Sequence, residues 1–200
     1  RQARSMTNGQ RPGIARRRER RWLRELCHRQ LVSKARIGGD VKMKYTLSFT
    51  LNGGPVDVLV KPTDTLLDVL REKLHVMSPK RGCDTGDCGA CTVLLNGEPV
   101  RSCLTIAMTV VGKEVKTLES FISDEGKLHL MQKTFHEHGA AQCGFCTPGM
   151  LISAKALLEN NPQPTRDEIV DAISGNLCRC GTYYEVIEAI QAAANGEGKE

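Results

Sequence analysis

No run of about 18 apolar residues occurs anywhere in this 200-residue chain, which excludes a transmembrane helix. A glycine fingerprint for NAD or FAD is missing too. Gly86 and Gly89 come nearest to one, but they belong to a cysteine-rich loop rather than to a strand–helix turn. No internal repeat is evident. Nor is there a candidate general acid, general base or nucleophile. His75, His129, His136 and His138 are scattered over predicted helices and read as surface residues; His136 and His138, two apart, cannot share a helix face. Glu185 and Glu188 read as a solvated face. With no groups for bond-making, the chain is not expected to bind a substrate.

Acidic residues are scarce at the start of the chain. Residues 1–40 carry 12 Lys+Arg against 3 Asp+Glu, whereas the other 160 carry 16 against 20. The formal net charge of +5 therefore describes a mildly acidic protein with a basic arm. Arg16-Arg17-Arg18-Glu19-Arg20-Arg21 could attract nucleic acid or a membrane surface. Twin-arginine export would need an apolar stretch next, and Leu23 to Asp40 contains none. The reading adopted is a disordered extension over residues 1–42, with Met43 as the natural start, no nucleic-acid partner and no membrane insertion. Cys27, alone in the arm, reads as a free thiol without function.

What the chain does have is cysteine in two sets of four: Cys83-x4-Cys88-x2-Cys91-x11-Cys103 and Cys143-x2-Cys146-x31-Cys178-x-Cys180. The first is the plant-type [2Fe–2S] spacing. Four thiolates are required, two per iron, and the interleaved glycines let the backbone turn inward and aim N–H groups at sulfur. Zinc is the competing reading. Zinc sites usually use two Cys pairs on short knuckles, whereas three of these cysteines share one glycine-rich loop. The second set alone would suit zinc or a cluster; beside the first, a cluster is favoured. Thiolate ligands need a reducing compartment, so the cytoplasm is expected.

The sequence divides near residue 120. Tyr45, Leu47, Phe49 and Leu51 alternate with polar residues as a strand, Asn52-Gly53-Gly54 turns the chain, and Val56, Val58 and Val60 return. Pro62-Thr63-Asp64 is expected to cap a helix carrying Leu66, Leu67, Val69, Leu70 and Leu74. A hairpin around Asn96-Gly97 and a last strand at Val115–Leu118 complete a small mixed sheet. Four helices are expected over residues 127–194. The first spans about Leu128–His138. The second has Thr147 as N-cap and Pro148 at its first position. The third carries the capping box Thr165-x-x-Glu168 and stops at Gly175, and the fourth buries Tyr184, Ile187 and Ile190. Folding these helices antiparallel brings both cysteine pairs of the second set to one end.

Three segments carry a family resemblance: Gly82 to Val93 (GCDTGDCGACTV), Gln142 to Gly149 (QCGFCTPG) and Gly175 to Cys180 (GNLCRC). Together they resemble the iron–sulfur small subunit of the xanthine oxidase family of molybdenum hydroxylases, over about residues 43–192. The resemblance implies an α+β protein: a β-grasp [2Fe–2S] ferredoxin domain at 43–120, then a four-helix-bundle [2Fe–2S] domain at 121–194, with a tail at 195–200. It implies two [2Fe–2S] clusters on the eight cysteines, and an oxidoreductase that is a heterotrimer. A large subunit would hold molybdopterin, in its cytosine dinucleotide form, and a medium subunit FAD. By the same resemblance Gln142 hydrogen-bonds the pterin and the sulfur of Cys180 approaches the pterin amine. One departure is Cys180-Gly181-Thr182-Tyr183 where many members read Cys-Thr-Gly-Tyr; some members with this variant use no flavin subunit. The alternative function is a free-standing two-cluster ferredoxin.

Overall fold

The computed structural model describes residues 43–122 and 126–196; the basic arm, Cys27 and residues 197–200 lie outside them. Strand β1 (Tyr45–Leu51) buries Leu47 and Phe49 on one face, as its alternation predicts. It pairs antiparallel with β2 (Gly54–Val60) across Asn52-Gly53, whose φ values of 51° and 85° make the tight turn. A second hairpin, β3 (Thr92–Leu95) with β4 (Glu98–Arg101), turns at Asn96-Gly97 in the same way, with φ 51° and 89°. Strand β5 (Glu114–Lys116) joins them, parallel to β1 and antiparallel to β3, so the open sheet runs β2-β1-β5-β3-β4.

The predicted first helix is shorter and wider than expected. Only α1 (Leu66–Asp68) is α-helical; Val69–Lys73 continues as a π turn in which the Leu74 N–H reaches back to the Val69 carbonyl at 3.1 Å. His75 then turns left-handed, at φ 55°, and ends it. The cap is Thr65, boxed with Asp68, not the Pro62-Thr63-Asp64 stretch. Asp64 instead accepts from the Lys61 N–H and pairs with Lys73.

Four helices follow: α2 (Leu130–Glu137), α3 (Thr147–Asn160), α4 (Arg166–Ile173) and α5 (Tyr183–Asn195). The capping box of α4 forms as predicted. Three expectations shift. Helix α2 begins at Leu130 because His129 is its N-cap: its Nδ1 accepts the Met131 N–H at 3.2 Å and its ring tilts on Phe121, so His129 is a half-buried cap rather than a surface residue. Cys146, not Thr147, occupies the N-cap of α3, and the buried Thr147 hydroxyl has no partner among the described residues. On α5 the tyrosines exchange roles: Tyr184 is exposed and lies under Arg166, while Tyr183 packs inward.

Helix α3 is buried at every residue from Pro148 to Ala154, because it lies between the sheet and the other helices. Strand β3 shows why. Its pleat sends Val93 into the core of the sheet half and Leu94 into the core of the helical half, beside Met150, Ile152 and Ile190. Leu94→Ala should therefore destabilise the chain by about 2–5 kcal/mol, the usual range for a fully buried leucine. Denaturant unfolding followed by circular dichroism would measure it; a loss below about 1 kcal/mol would mean that the strand's outer face contributes little.

Glu119, in the 3-10 turn Leu118–Phe121, ties this framework to the segment leading into the first cysteine loop. Its carboxylate accepts from the Ser78 N–H at 2.9 Å, the Ser78 hydroxyl and the Thr117 hydroxyl. Burial alone would raise its pKa, but these donors outweigh it and hold Glu119 below the ordinary value of 4.5. A lowered carboxylate pKa contributes stability that is fully present above 4.5 and is lost as pH falls through the folded value. Glu119→Gln should thus unfold more easily than wild type at neutral pH, with the difference closing below pH 4.5. Denaturation midpoints measured from pH 7 down to pH 3 would detect it, and a gap independent of pH would rule it out.

Candidate iron–sulfur centres

The first cysteine loop is closed at its base by the Lys80 N–H, which donates to the Ala90 carbonyl at 2.8 Å. Arg81 fastens its flank by pairing with Asp84 and Asp68. Inside, the N–H groups of Thr85 and Cys88 both point at the Cys83 sulfur, each at 3.4 Å. Hydrogen bonds from Thr85, then from the Cys88 and Thr85 backbone, bring the Cys83 pKa down to about 6, favouring thiolate. Cys91 and Cys103 lie on the dry side, packed on Leu67. Burial, then the neighbouring Cys91 thiol, pushes Cys103 up to about 12. Ser102, fully buried, joins the two segments by donating its hydroxyl to the Cys91 carbonyl at 2.7 Å.

In the second centre Cys146 is buried at the head of α3, and burial, then the Cys178 thiol, raises it to about 12. Cys178 is brought down to about 7: burial opposes this, but the Thr182 hydroxyl at 3.2 Å and the Thr182 and Gly181 backbone favour the thiolate. The Cys178 N–H donates to the Tyr183 hydroxyl at 2.8 Å, which fixes the loop before α5. Cys143 and Cys180 are exposed and lie near each other.

The cysteines thus gather in two sets, Cys83, Cys88, Cys91 and Cys103 at one place and Cys143, Cys146, Cys178 and Cys180 at another, the members of each set close enough to act on one another electrostatically. Among the described residues no three Cys, His, Asp or Glu side chains converge on one ion. At the first centre three of the four cysteines share one loop, which suits a two-iron rhomb better than the two short knuckles usual for a tetrahedral zinc. The donor set fits as well: N–H groups face sulfur, and at Gly82 a β-carbon would lie 2.7 Å from the Cys88 sulfur.

The two loops touch. The Leu177 N–H donates to the Cys88 carbonyl at 2.9 Å, and Asn176 Nδ2 to the Gly89 carbonyl at 3.0 Å. Asn176 Oδ1 accepts from the Ser153 hydroxyl of α3 at 2.8 Å. Arg101 donates to the Gly175 carbonyl at 2.6 Å and to the Thr92 hydroxyl at 3.1 Å. Helix α4 ends before Gly175 as expected, but Gly175 has negative φ, and what requires glycine there is Arg101, which a β-carbon would meet at 2.0 Å. Lys80 Nζ crosses as well, to the Gly144 and Phe145 carbonyls at 3.3 and 3.5 Å.

All eight predicted cysteines fall into these two groups. Gln142, next to Cys143 in the sequence, is exposed and has no hydrogen bond among the described residues. Sequence reasoning missed Lys80, Arg101, Ser102, Asn176 and Tyr183. A motif-level signal existed only for Asn176 and Tyr183, which stand two before and three after a cysteine.

Comparison with known proteins accords with this geometry. Residues 49–118 match the family described as a 2Fe-2S iron-sulfur cluster binding domain, and residues 117–191 that described as a [2Fe-2S] binding domain. The chain is therefore a two-domain [2Fe–2S] protein. The nicotinate dehydrogenase small FeS subunit of Eubacterium barkeri is 47% identical over 150 residues, 75% of this chain and 95% of that protein. The nicotine 6-hydroxylase small subunit of Paenarthrobacter nicotinovorans is 45% identical over 150 residues, 75% of this chain and 90% of the other. The solved quinoline 2-oxidoreductase from Pseudomonas putida 86 contains a chain 44% identical, with a TM-score of 0.73, covering 78% of this chain and 97% of that one. The chain belongs to the iron–sulfur small subunits of the xanthine oxidase family of molybdenum hydroxylases.

Asn176 generates a direct test of the seam. Asn176→Ala removes one bond to each loop's support and strands the buried Ser153 hydroxyl, a cost of about 1–3 kcal/mol. Because it touches both loops, electron paramagnetic resonance of the reduced chain should show altered line shapes for both centres. A change confined to one centre would show that the seam does not couple them.

Proposed function

We propose that this chain is the electron-transfer subunit of a multi-subunit molybdenum hydroxylase. Cys83, Cys88, Cys91 and Cys103 would hold one [2Fe–2S] cluster, and Cys143, Cys146, Cys178 and Cys180 the other. The observation that carries this reading is the gathering of cysteines from separated segments, Cys103 with the loop of Cys83, Cys88 and Cys91, and Cys178 and Cys180 with Cys143 and Cys146. When bound, such clusters supply one-electron carriers in series, by which the electron pair from substrate oxidation moves singly from a molybdenum–pterin centre to FAD or another acceptor.

The chain's own residues do the holding and tuning. Thr85, Cys88 and Thr182 place donors on sulfur, and donors on sulfur favour the more negative, reduced state. Leu67 and the α3 core keep water from the inner thiolates. The outer side of the second centre is different: Gln142, Cys143 and Cys180 are exposed there with Phe145 and Leu177, which are 45% and 58% exposed. This partly apolar rim, with the exposed Arg179 between Cys178 and Cys180 at its edge, suits burial against a large molybdenum–pterin subunit. Gln142, which can donate and accept at a heterocycle edge, is assigned to the pterin, and Cys180 to its amine. Leu104 and Ile106, exposed beside the first centre, form the outlet toward a FAD-binding subunit or another acceptor.

The sheet half is read as a β-grasp ferredoxin domain over 43–120 and the helical half as a four-helix bundle over 121–194. The meeting of the two family matches near residue 118 supports that division. The pterin is taken as the cytosine dinucleotide form, and the cytoplasm as the compartment that keeps the thiols reduced. Among the described residues no helix is long and apolar enough to cross a membrane.

Iron analysis and electron paramagnetic resonance test the assignment. Two clusters require about four irons per chain and two reduced-cluster signals. Cys88→Ser should lose the first signal and keep the second, and Cys146→Ser the reverse. Equal loss of both signals in either variant would refute the division of ligands.

A further inference from the structure

Lys80 belongs to the first half by its backbone but serves the second with its side chain. Its N–H closes the first cysteine loop on Ala90, three residues before Cys83. Its ammonium crosses to the loop of the second centre. There it donates to the carbonyls of Gly144 and Phe145, at 3.3 and 3.5 Å, and lies 5.6 Å from the Phe145 ring centroid. Gly144 and Phe145 are the two residues between Cys143 and Cys146. The ammonium is thus pinned against the backbone that joins two candidate ligands.

Its charge has no ordinary answer. Among the described residues no carboxylate lies within ion-pair distance of Lys80. The charged groups acting on it are Arg71, which repels, and Cys146, Cys143 and Glu119, which attract. Glu119 is already engaged by Ser78 and Thr117. A half-buried cation without a carboxylate is costly unless another negative charge stabilises it. In a loaded second centre the cluster and its thiolates would supply that charge.

We propose that Lys80 is a positioning residue for electron transfer: its fixed positive charge raises the reduction potential of the second centre, while leaving the first almost unchanged. The proposal rests on the reading that Cys143, Cys146, Cys178 and Cys180 hold a [2Fe–2S] cluster. One-electron reduction of such a cluster adds one negative charge, and a fixed neighbouring cation favours the more negative state. A charge supplied by the other half also makes the potential depend on how the halves are docked. A second centre whose loop had separated from Lys80 would be harder to reduce.

The test is an electron-paramagnetic-resonance redox titration of the full chain, purified with whatever subunits accompany it, for wild type, Lys80→Met and Lys80→Arg. The expected result for K80M is about a tenfold loss in the reduction equilibrium of the second centre, about 59 mV for one electron. The first centre should move by much less, and K80R should stay within about twofold of wild type. If K80M loads poorly, Lys80→Gln, which keeps an N–H donor but no charge, reads the same quantity. An unshifted second centre in K80M or K80Q, equal shifts at both centres, or K80R shifting as far as K80M would overturn the role of Lys80. Fewer than about four irons per chain in wild type after anaerobic reconstitution, with one signal, would overturn the cluster reading itself.

Discussion

Three glycines let the two cysteine loops meet backbone to backbone. A β-carbon on Gly89 would lie 2.3 Å from the Gly175 carbonyl, one on Gly149 would lie 2.4 Å from the Gly89 carbonyl, and one on Gly175 would collide with Arg101. Side chains at these positions would push α3 away from the sheet and open the seam. The Leu177–Cys88 and Asn176–Gly89 hydrogen bonds would go with it. So would the packing of Leu94 among the helices, since both depend on the same separation. The geometry of each centre thus rests on the other half of the chain as well as on its own.

That dependence explains what a sequence reader can and cannot see. The alternation of Leu47 and Phe49, the Asn-Gly turns and the capping box at Thr165 are local, and each appears where its residues predict it. The cysteine spacings are legible as well, and the fold gathers the eight predicted cysteines into two sets. Errors arose where contact overrode local preference. Thr147 looks like a cap, but Cys146, held near Cys178, takes that position and leaves the threonine hydroxyl unpartnered. Tyr184 fits the helical period, yet Tyr183 is the one turned inward, because its hydroxyl meets the Cys178 N–H. Leu66 to Leu74 has helical spacing, but the chain widens into a π turn as Leu66 and Leu67 bond back to Thr105 and Ser102.

The contacts of Lys80, Arg101 and Asn176 were invisible for a deeper reason. Their partners lie 64, 74 and 87 residues away, and no spacing rule links them. Each is polar, half or wholly buried, and directed at a backbone carbonyl of one of the cysteine loops or the segment leading into it. In a sequence they are one lysine, one arginine and one asparagine among many. Only the fold distinguishes them from solvated surface residues.

The distribution of burial gives the pair of centres a direction. Burial differs within each centre: Cys91 and Cys103 lie inside while Cys83 and Cys88 are half-buried, and Cys146 is buried, Cys178 half-buried and Cys143 and Cys180 exposed. Exposure and donors on sulfur stabilise a reduced, more negative centre, and burial opposes it. The cysteines therefore sit in unlike surroundings although the ligand chemistry is the same throughout. A chain with two such centres on a flexible tether would leave their separation to chance, since flexible linkers sample a broad range of distances. Here the separation is set by backbone hydrogen bonds between the loops themselves, with Asn176 and Arg101 as struts. A site held by rigid elements keeps its geometry when a partner binds or departs, and fixed spacing is what a relay between two one-electron carriers requires.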